Sequence, residues 1–292
     1  MTQAAQTETA RIATALDSLP TLPIVALQIG EVVHGKNVSV QQVAEILRSD
    51  PATSAKLLRL VNSPYFGIPG GVNDVARAIP FVGFNTLYQL VLSISVLETL
   101  GGGAFDARAL WVHSLTVATA ARELANEVRL PDPGACFTAG LLHDMGKIAL
   151  ARIDPGKMAK AFELVRIEGI TMDSAERRVG LAAHDKIGSQ LAKKWKFPAA
   201  LTTPIEQHHA IGRPEVRDRL GPHLRAITEC VAAADQLAAA CAAPFVSNPC
   251  DDGEVETELF DRTGLSAAQR TALCDRTKHA LEKSRVFLSL LG

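Results

Sequence analysis

The sequence predicts an all-α fold arranged as two helical lobes, and three observations carry that reading. Apolar residues recur at helical spacing along most of the 292-residue chain, and no segment alternates convincingly enough for a strand. Helix-start signals, such as Ser39 with Gln42 and Asp50 before Pro51, stand directly ahead of apolar-faced stretches. Gly101-Gly102-Gly103 interrupts the pattern as a hinge between an N-terminal lobe and the region that holds most histidines.

Taken in order, residues 1–18 are rich in Ala and Thr and read as a tail or frayed helix. Leu19-Pro20-Thr21-Leu22-Pro23 opens the fold. A helix is expected over residues 24–34, ended by Gly35-Lys36-Asn37. Behind the Ser39–Gln42 capping box, Val40, Val43, Ala44 and Leu47 form one apolar face. Leu57, Leu58, Leu60 and Val61 are the core side of the helix that Pro51 begins. Residues 62–71 form a loop rich in Pro and Gly, and helices follow at 74–81 and 86–100.

Beyond the hinge a long helix is expected over about 107–128, broken at Leu130-Pro131-Asp132-Pro133-Gly134. Residues 139–150 read as one buried helix and 155–168 as the next. Asp173 and Glu176 cap a short helix. His184 opens a helix that runs to Trp195, and Pro198 starts another that ends near His208-His209. Residues 212–222 form a loop, 223–243 an Ala-rich helix, 244–253 an acidic loop and 266–290 a terminal helix. The expected division is a tail over 1–18, a domain over 19–243 with lobes 19–100 and 104–243, and a loop with a helix over 244–292.

Composition narrows the function classes. Apolar residues make up 47% of the chain, enough for a sizeable core. The 30 basic and 31 acidic residues give a formal charge of -1, so no overall basic excess favours nucleic acid. The strip Arg213, Arg217, Arg219 and Arg225 reads as a solvated face. Cys136, Cys230, Cys241, Cys250 and Cys274 are widely spaced and form no C-x-x-C pair, which suits reduced thiols in a cytosolic protein. The first sixteen residues have neither the basic start nor the apolar run of a secretory signal. The most apolar stretch, residues 90–97, is too short to span a bilayer. A cytoplasmic setting without membrane or nucleic-acid partners is expected.

The chemistry concentrates at His143-Asp144, set between Ala139, Leu141, Leu142, Met145, Ile148 and Leu150. Burying an imidazole and a carboxylate costs several kcal/mol unless each finds a partner. Asp144 can pair with Lys147 three residues on, and His143 can cap a core hydrogen bond. Alternatively, a metal held between neighbouring helices can collect both. His113, His184, His208, His209 and Asp235 all sit in helical, largely apolar surroundings. Each alone is ordinarily a satisfied core residue, but together they make a ligand set. Imidazole and carboxylate suit Fe, Mn, Zn or Ni, and the absence of thiolate argues against a structural zinc site. Seven ligands exceed one tetrahedral ion and fit two divalent ions.

The order His113, His143-Asp144, Asp235 resembles the H…HD…D signature of the HD superfamily of metal-dependent phosphohydrolases, and Lys147 matches the lysine often found after the HD pair. His184 and the pair His208-His209 resemble the extra ligands of the HD-GYP branch, which hydrolyses cyclic di-GMP. Ala109 stands where some of that branch carry a glutamate ligand, and Ala210-Ile211-Gly212-Arg213-Pro214 replaces the GYP segment. In the N-terminal lobe, Leu22-Pro23, Asp50-Pro51, Leu60-Val61-Asn62-Ser63, Phe66-Gly67, Ala78-Ile79 and Val82-Gly83 resemble the HDOD domain, the HD-related output domain of bacterial signalling. His184 with Ile187-Gly188, Leu191, Trp195 and Pro198 follows the same pattern, so the likeness covers roughly residues 17–240.

The resemblance implies an all-helical regulatory module that acts through signalling partners and here keeps its HD ligands. It also implies that Asp144 bridges two ions; separately, because neighbours on a helix point apart, one of His208 and His209 is expected to stand behind the other. The competing expectation is a phosphohydrolase acting on a phosphodiester or nucleotide, with Asp144 and Lys147 catalytic and Lys147 and Arg213 meeting the phosphate. The absent GYP segment leads us to expect no useful turnover of cyclic di-GMP.

Overall fold

In the computed structural model, residue 14 and residues 16–100, 108–240 and 261–284 are described. They contain helices and turns and no strand, as the periodicity requires. The first lobe holds α1 (Ile24–Val33), α2 (Val40–Arg48), α3 (Pro51–Val61), α4 (Val75–Val82) and α5 (Phe84–Leu100). The second holds α6 (Arg108–Glu127), α7 (Pro133–Leu142), α8 (Met145–Ile153), α9 (Pro155–Glu168), α10 (Met172–Val179), α11 (His184–Lys194), α12 (Ala199–Gln207), α13 (Pro214–Arg217) and α14 (Pro222–Ala240). A final helix, α15 (Ala267–Ser284), lies along α6. The expected hinge at 101–104 and the acidic loop at 244–253 lie outside the described residues.

The cap signals act as read. Ser39 accepts from the Gln42 amide at 3.2 Å, and Asp50 accepts from the Thr53 amide at 3.0 Å and its hydroxyl at 2.7 Å. Asp132 and Asp154, not assigned as caps from the sequence, do the same for α7 and α9, each followed by a proline at the first helical position. One cap differs from expectation. Thr171, not Asp173 or Glu176, caps α10, accepting from the Ser174 amide at 3.2 Å. Asp173 pairs instead with Arg177 at 2.7 Å, and Glu176 turns into the protein.

From Leu87 to Leu97 the helix α5 is buried on every side, and its sequence there is apolar nearly all round. It packs on α1 and α3 of its own lobe and on α7 of the second. The two lobes therefore share one contiguous apolar core. Gly83, at φ 79°, turns the chain through 116° between α4 and α5. Leu16 is buried in the same core, and Lys194 of α11 bonds the Leu16 carbonyl at 3.0 Å, so the first segment is anchored from residue 16 on. Cys136 and Cys230 are free and buried, but Cys274 is disulfide-bonded, which corrects the reading of all five cysteines as reduced thiols.

Candidate metal centre

The buried stretch 139–150 is two helices, not one. α7 ends at Leu142 and α8 begins at Met145. His143 and Asp144 occupy the turn between them, with Asp144 at φ -99°, ψ 12°. In a continuous helix neighbouring side chains diverge by about 100°. The turn removes that constraint, and both side chains face the space between α6, α11, α12 and α14.

Three glycine contacts bring those helices close enough. A Cβ on Gly140 would lie 2.9 Å from Ala118 Cα, so α7 meets α6, the helix that carries His113, backbone to backbone. A Cβ on Gly146 would lie 1.9 Å from the His184 carbonyl oxygen, so α8 touches the start of α11. Gly188 completes that crossing, with Ile205 Cγ2 of α12 2.9 Å from the position of an added Cβ.

The seven sequence-chosen residues converge. His143 Nε2 lies 3.4 Å and His113 Nε2 3.6 Å from Asp144 Oδ2. His113 Nε2 also lies 3.1 Å from Asp235 Oδ1. On the other side, His184 Nε2 lies 3.4 Å and His208 Nε2 3.8 Å from Asp144 Oδ1, and His184 Nε2 is 3.1 Å from His209 Nε2. Asp144 thus turns one oxygen to each of two donor groups. His208 and His209 both reach the second donor group. α12 ends at Gln207, and both rings offer a nitrogen within 4.8 Å of the Asp144 and His184 donor atoms. Lys147 Nζ sits 2.6 Å from Asp144 Oδ2, fully buried. Arg213 is exposed at the head of α13, outside both donor groups.

The tautomers follow from the outer partners. His143 Nδ1 donates to the Gly140 carbonyl at 2.7 Å, and His208 Nδ1 to the Pro204 carbonyl at 3.0 Å. His184 Nδ1 donates to Glu176 at 2.9 Å, and Glu176 also accepts from the His184 amide at 3.0 Å. Each ring therefore presents a bare Nε2 to Asp144. The sequence reading missed Glu176. Its signal is a carboxylate eight residues before a histidine, on the apolar side of a short helix, which is weak without the fold.

Charge in the centre follows from burial and neighbours. Burial alone would raise the Asp144 carboxyl, but His143 and Lys147 hold it well below its ordinary value. Burial lowers His143, and the adjacent Asp144 carboxylate outweighs it, leaving that imidazole shifted up. His208 is pushed down to about 3 by burial and by His143 beside it. His143 Nε2, His208 Nε2 and Asp144 Oδ1 are buried with no hydrogen-bond partner, a costly arrangement for polar atoms that face one another. Ligands about 2.1 Å from one ion are separated by roughly 3.0–3.4 Å, close to the separations here. The donor set fits divalent metal.

With the geometry in place, comparison with known proteins settles the lineage. The model of the HDOD domain matches residues 19–211. The chain belongs to the HDOD family. Asp235 lies beyond the matched HDOD residues yet inside the cluster. A Treponema pallidum protein of uncharacterized function is 26% identical over 212 residues, 70% of this HDOD chain and 41% of its own length. The chain thus spans about two fifths of that relative. A Shewanella amazonensis protein provisionally named a phosphohydrolase superposes at a TM-score of 0.73 with 24% identity, over 96% of this chain and 98% of its own. A Marinobacter aquaeolei protein provisionally named for signal transduction superposes at 0.73 with 20% identity, over 94% of this chain and 60% of its own. At these identities the likenesses establish the HDOD fold alone.

Proposed function

We propose that the chain is a signal-transduction module acting mainly through protein contacts, and that His113, His143, Asp144, His184, His208, His209 and Asp235 hold two divalent ions with Asp144 between them. The observation that carries this reading is the set of three buried imidazoles whose Nδ1 protons are committed outward, leaving bare Nε2 atoms around one carboxylate. Ions so held would supply Lewis acidity and a bound water of lowered pKa. The chain's own residues have separate tasks. Asp144 offers one oxygen to each donor group, Glu176 fixes the His184 ring, and Lys147 balances the Asp144 charge. The working unit in this reading is residues 19–243 with lobes 19–100 and 104–243, in a cytoplasmic setting.

The module reading is favoured over turnover by the cations. Lys147, the group suited to meet a phosphate, is buried and committed to Asp144. Arg213, the other candidate, stands exposed on α13. Rate requires a substrate held in line with its attacking oxygen, and no GYP segment follows His209 to hold one. Metal analysis of freshly purified protein is the direct test. Close to two equivalents of Fe, Mn, Zn or Ni are expected, falling to near zero in Asp144→Ala with helical content retained. A metal-free wild-type protein that also fails to bind added Mn or Fe would sink the reading.

A second reading, a phosphohydrolase, is favoured by one feature. His209 is exposed, so solvent reaches the second donor group. Cyclic dinucleotides and generic phosphodiesters should be assayed with Mn- or Fe-loaded protein. No turnover of cyclic di-GMP is expected. Turnover that Asp144→Ala abolishes in a folded protein would make the enzyme reading the right one.

A further inference from the structure

A second feature of the molecule is independent of the metal centre. A cleft of about 190 Å³ opens where the first lobe meets the second, between Tyr65 and Phe66 of the loop after α3, Thr86 and Gln89 of α5, and Arg122 and Asn126 of α6. The Asn62-Ser63…Phe66-Gly67 pattern of the sequence has no part in the His/Asp cluster, and here it supplies one wall.

Arg122 is the organising group. Its guanidinium carbon stands 4.3 Å above the Tyr65 ring centroid and 6.0 Å from that of Phe66. Tyr65 is held in turn against Phe66 at 5.1 Å and Phe137 at 5.3 Å between centroids. The face of the guanidinium is thereby committed to an aromatic ring, which fixes its plane. Its N–H edge is a different matter. Among the described residues no carboxylate lies within 4.0 Å of it. Among the described residues this half-buried cation pairs with no carboxylate, and the N–H groups not turned to the Tyr65 hydroxyl suit an anion in the cleft. The edge of a guanidinium matches the two oxygens of a carboxylate.

The rest of the cleft specifies the body attached to that anion. Leu90, Pro133 and Phe137 make apolar walls, and the Thr86 hydroxyl with the Gln89 and Asn126 amides adds neutral donors. Gly134 keeps the floor open. A Cβ there would lie 3.0 Å from Gln89 Oε1 and 3.6 Å from Thr86 Oγ1. Asp132, also near that floor, is turned away to cap α7 through the Ala135 amide at 2.8 Å. The volume falls below the roughly 300–1,000 Å³ of sites for drug-sized ligands, which argues against a nucleotide.

We propose that this cleft binds a small aromatic carboxylate, its carboxylate on the Arg122 edge and its ring between the apolar walls. Because the walls come from both lobes, such a ligand ties α5 to α6 and α7. The same α6 and α7 lead to His113 and His143.

The test is calorimetric titration of the full chain with benzoate, benzamide and inorganic phosphate. Benzoate is expected to bind saturably at one site per chain, and benzamide, its neutral analogue, at least tenfold more weakly. Arg122→Gln should weaken benzoate at least tenfold. Asn126→Trp, placed at an exposed position on the rim, should block binding while leaving Arg122 and the fold intact, as thermal melting would verify. No benzoate binding at millimolar concentration overturns the proposal. So does benzamide binding as well as benzoate, or phosphate binding through Arg122 where benzoate does not. Unchanged benzoate binding in both folded variants overturns it as well.

Discussion

Glu176 does at residue scale what no direct ligand could do alone. It accepts hydrogen bonds from His184 Nδ1 and from the His184 amide together, so the ring is fixed in both tautomer and orientation. Glu176→Gln keeps the shape but weakens the acceptor. It is expected to reduce metal affinity by about 10–100-fold, the usual cost of losing an outer partner, with helical content unchanged. A competition titration against a chromogenic chelator reads the change. An affinity equal to wild type would remove Glu176 from the site.

The imidazoles also set a pH dependence. His208 moves from 6.5 in an unfolded chain to about 3 in the fold. Between those values the unfolded chain binds a proton that the folded one refuses, so the His208 contribution to stability is lost as pH falls. Asp144, shifted down from 3.8, contributes stability that is present above that value and lost as pH falls through its lowered pKa. His143, shifted up, works in the opposite sense and is stabilising at low pH. Melting of metal-free protein should therefore fall from pH 6.5 toward pH 4, and His208→Gln should flatten that slope. A slope unaltered by His208→Gln would place the proton uptake elsewhere.

At the scale of elements, close glycine contacts decide where the donors meet. Gly146 has no room for a methyl group, because His184 and Gly188 backbone atoms lie 1.9 and 2.8 Å from where it would stand. Gly146→Ala must push α8 off α11, and it is expected to cost about 3 kcal/mol or more and to remove most bound metal. Gly156→Ala is the matched control. Its Cβ would meet only Asp154 Oδ1 at 3.8 Å, on the exposed side of α9. It should be neutral or stabilising by about 0.5–1 kcal/mol in chemical unfolding, since alanine loses less backbone entropy than glycine. The caps are a simpler case: Asp50→Ala removes the bonds to Thr53 and should cost about 1 kcal/mol.

At the scale of the molecule, the shared core couples the lobes. Leu87 to Leu100 of α5 are packed from both sides, and Arg152 of α8 donates to the Thr99 carbonyl of α5 at 2.6 Å. The protein is therefore expected to unfold in one calorimetric transition. In the metal-bound form proposed above, chelation should lower that single transition as a whole, because an ion bound only to the folded state stabilises by mass action, about 2.7 kcal/mol at a hundred times its Kd. Two separated transitions, only one of them metal-dependent, would show the lobes to be thermodynamically independent.

Much of this was determined by the sequence alone. Caps at Ser39 and Asp50 and apolar stripes act over three or four residues, so the helices they open are legible from their own residues. That these imidazoles and carboxylates gather in one place was legible too, because buried polar groups on separate apolar helices need common partners. Only the tertiary structure decided that residues 139–150 break at His143-Asp144, that Glu176 turns inward, and that Arg122 meets Tyr65 across the lobes. Those features depend on distances between helices. Contacts such as Gly146 on His184 set such distances, and no spacing along one helix encodes them.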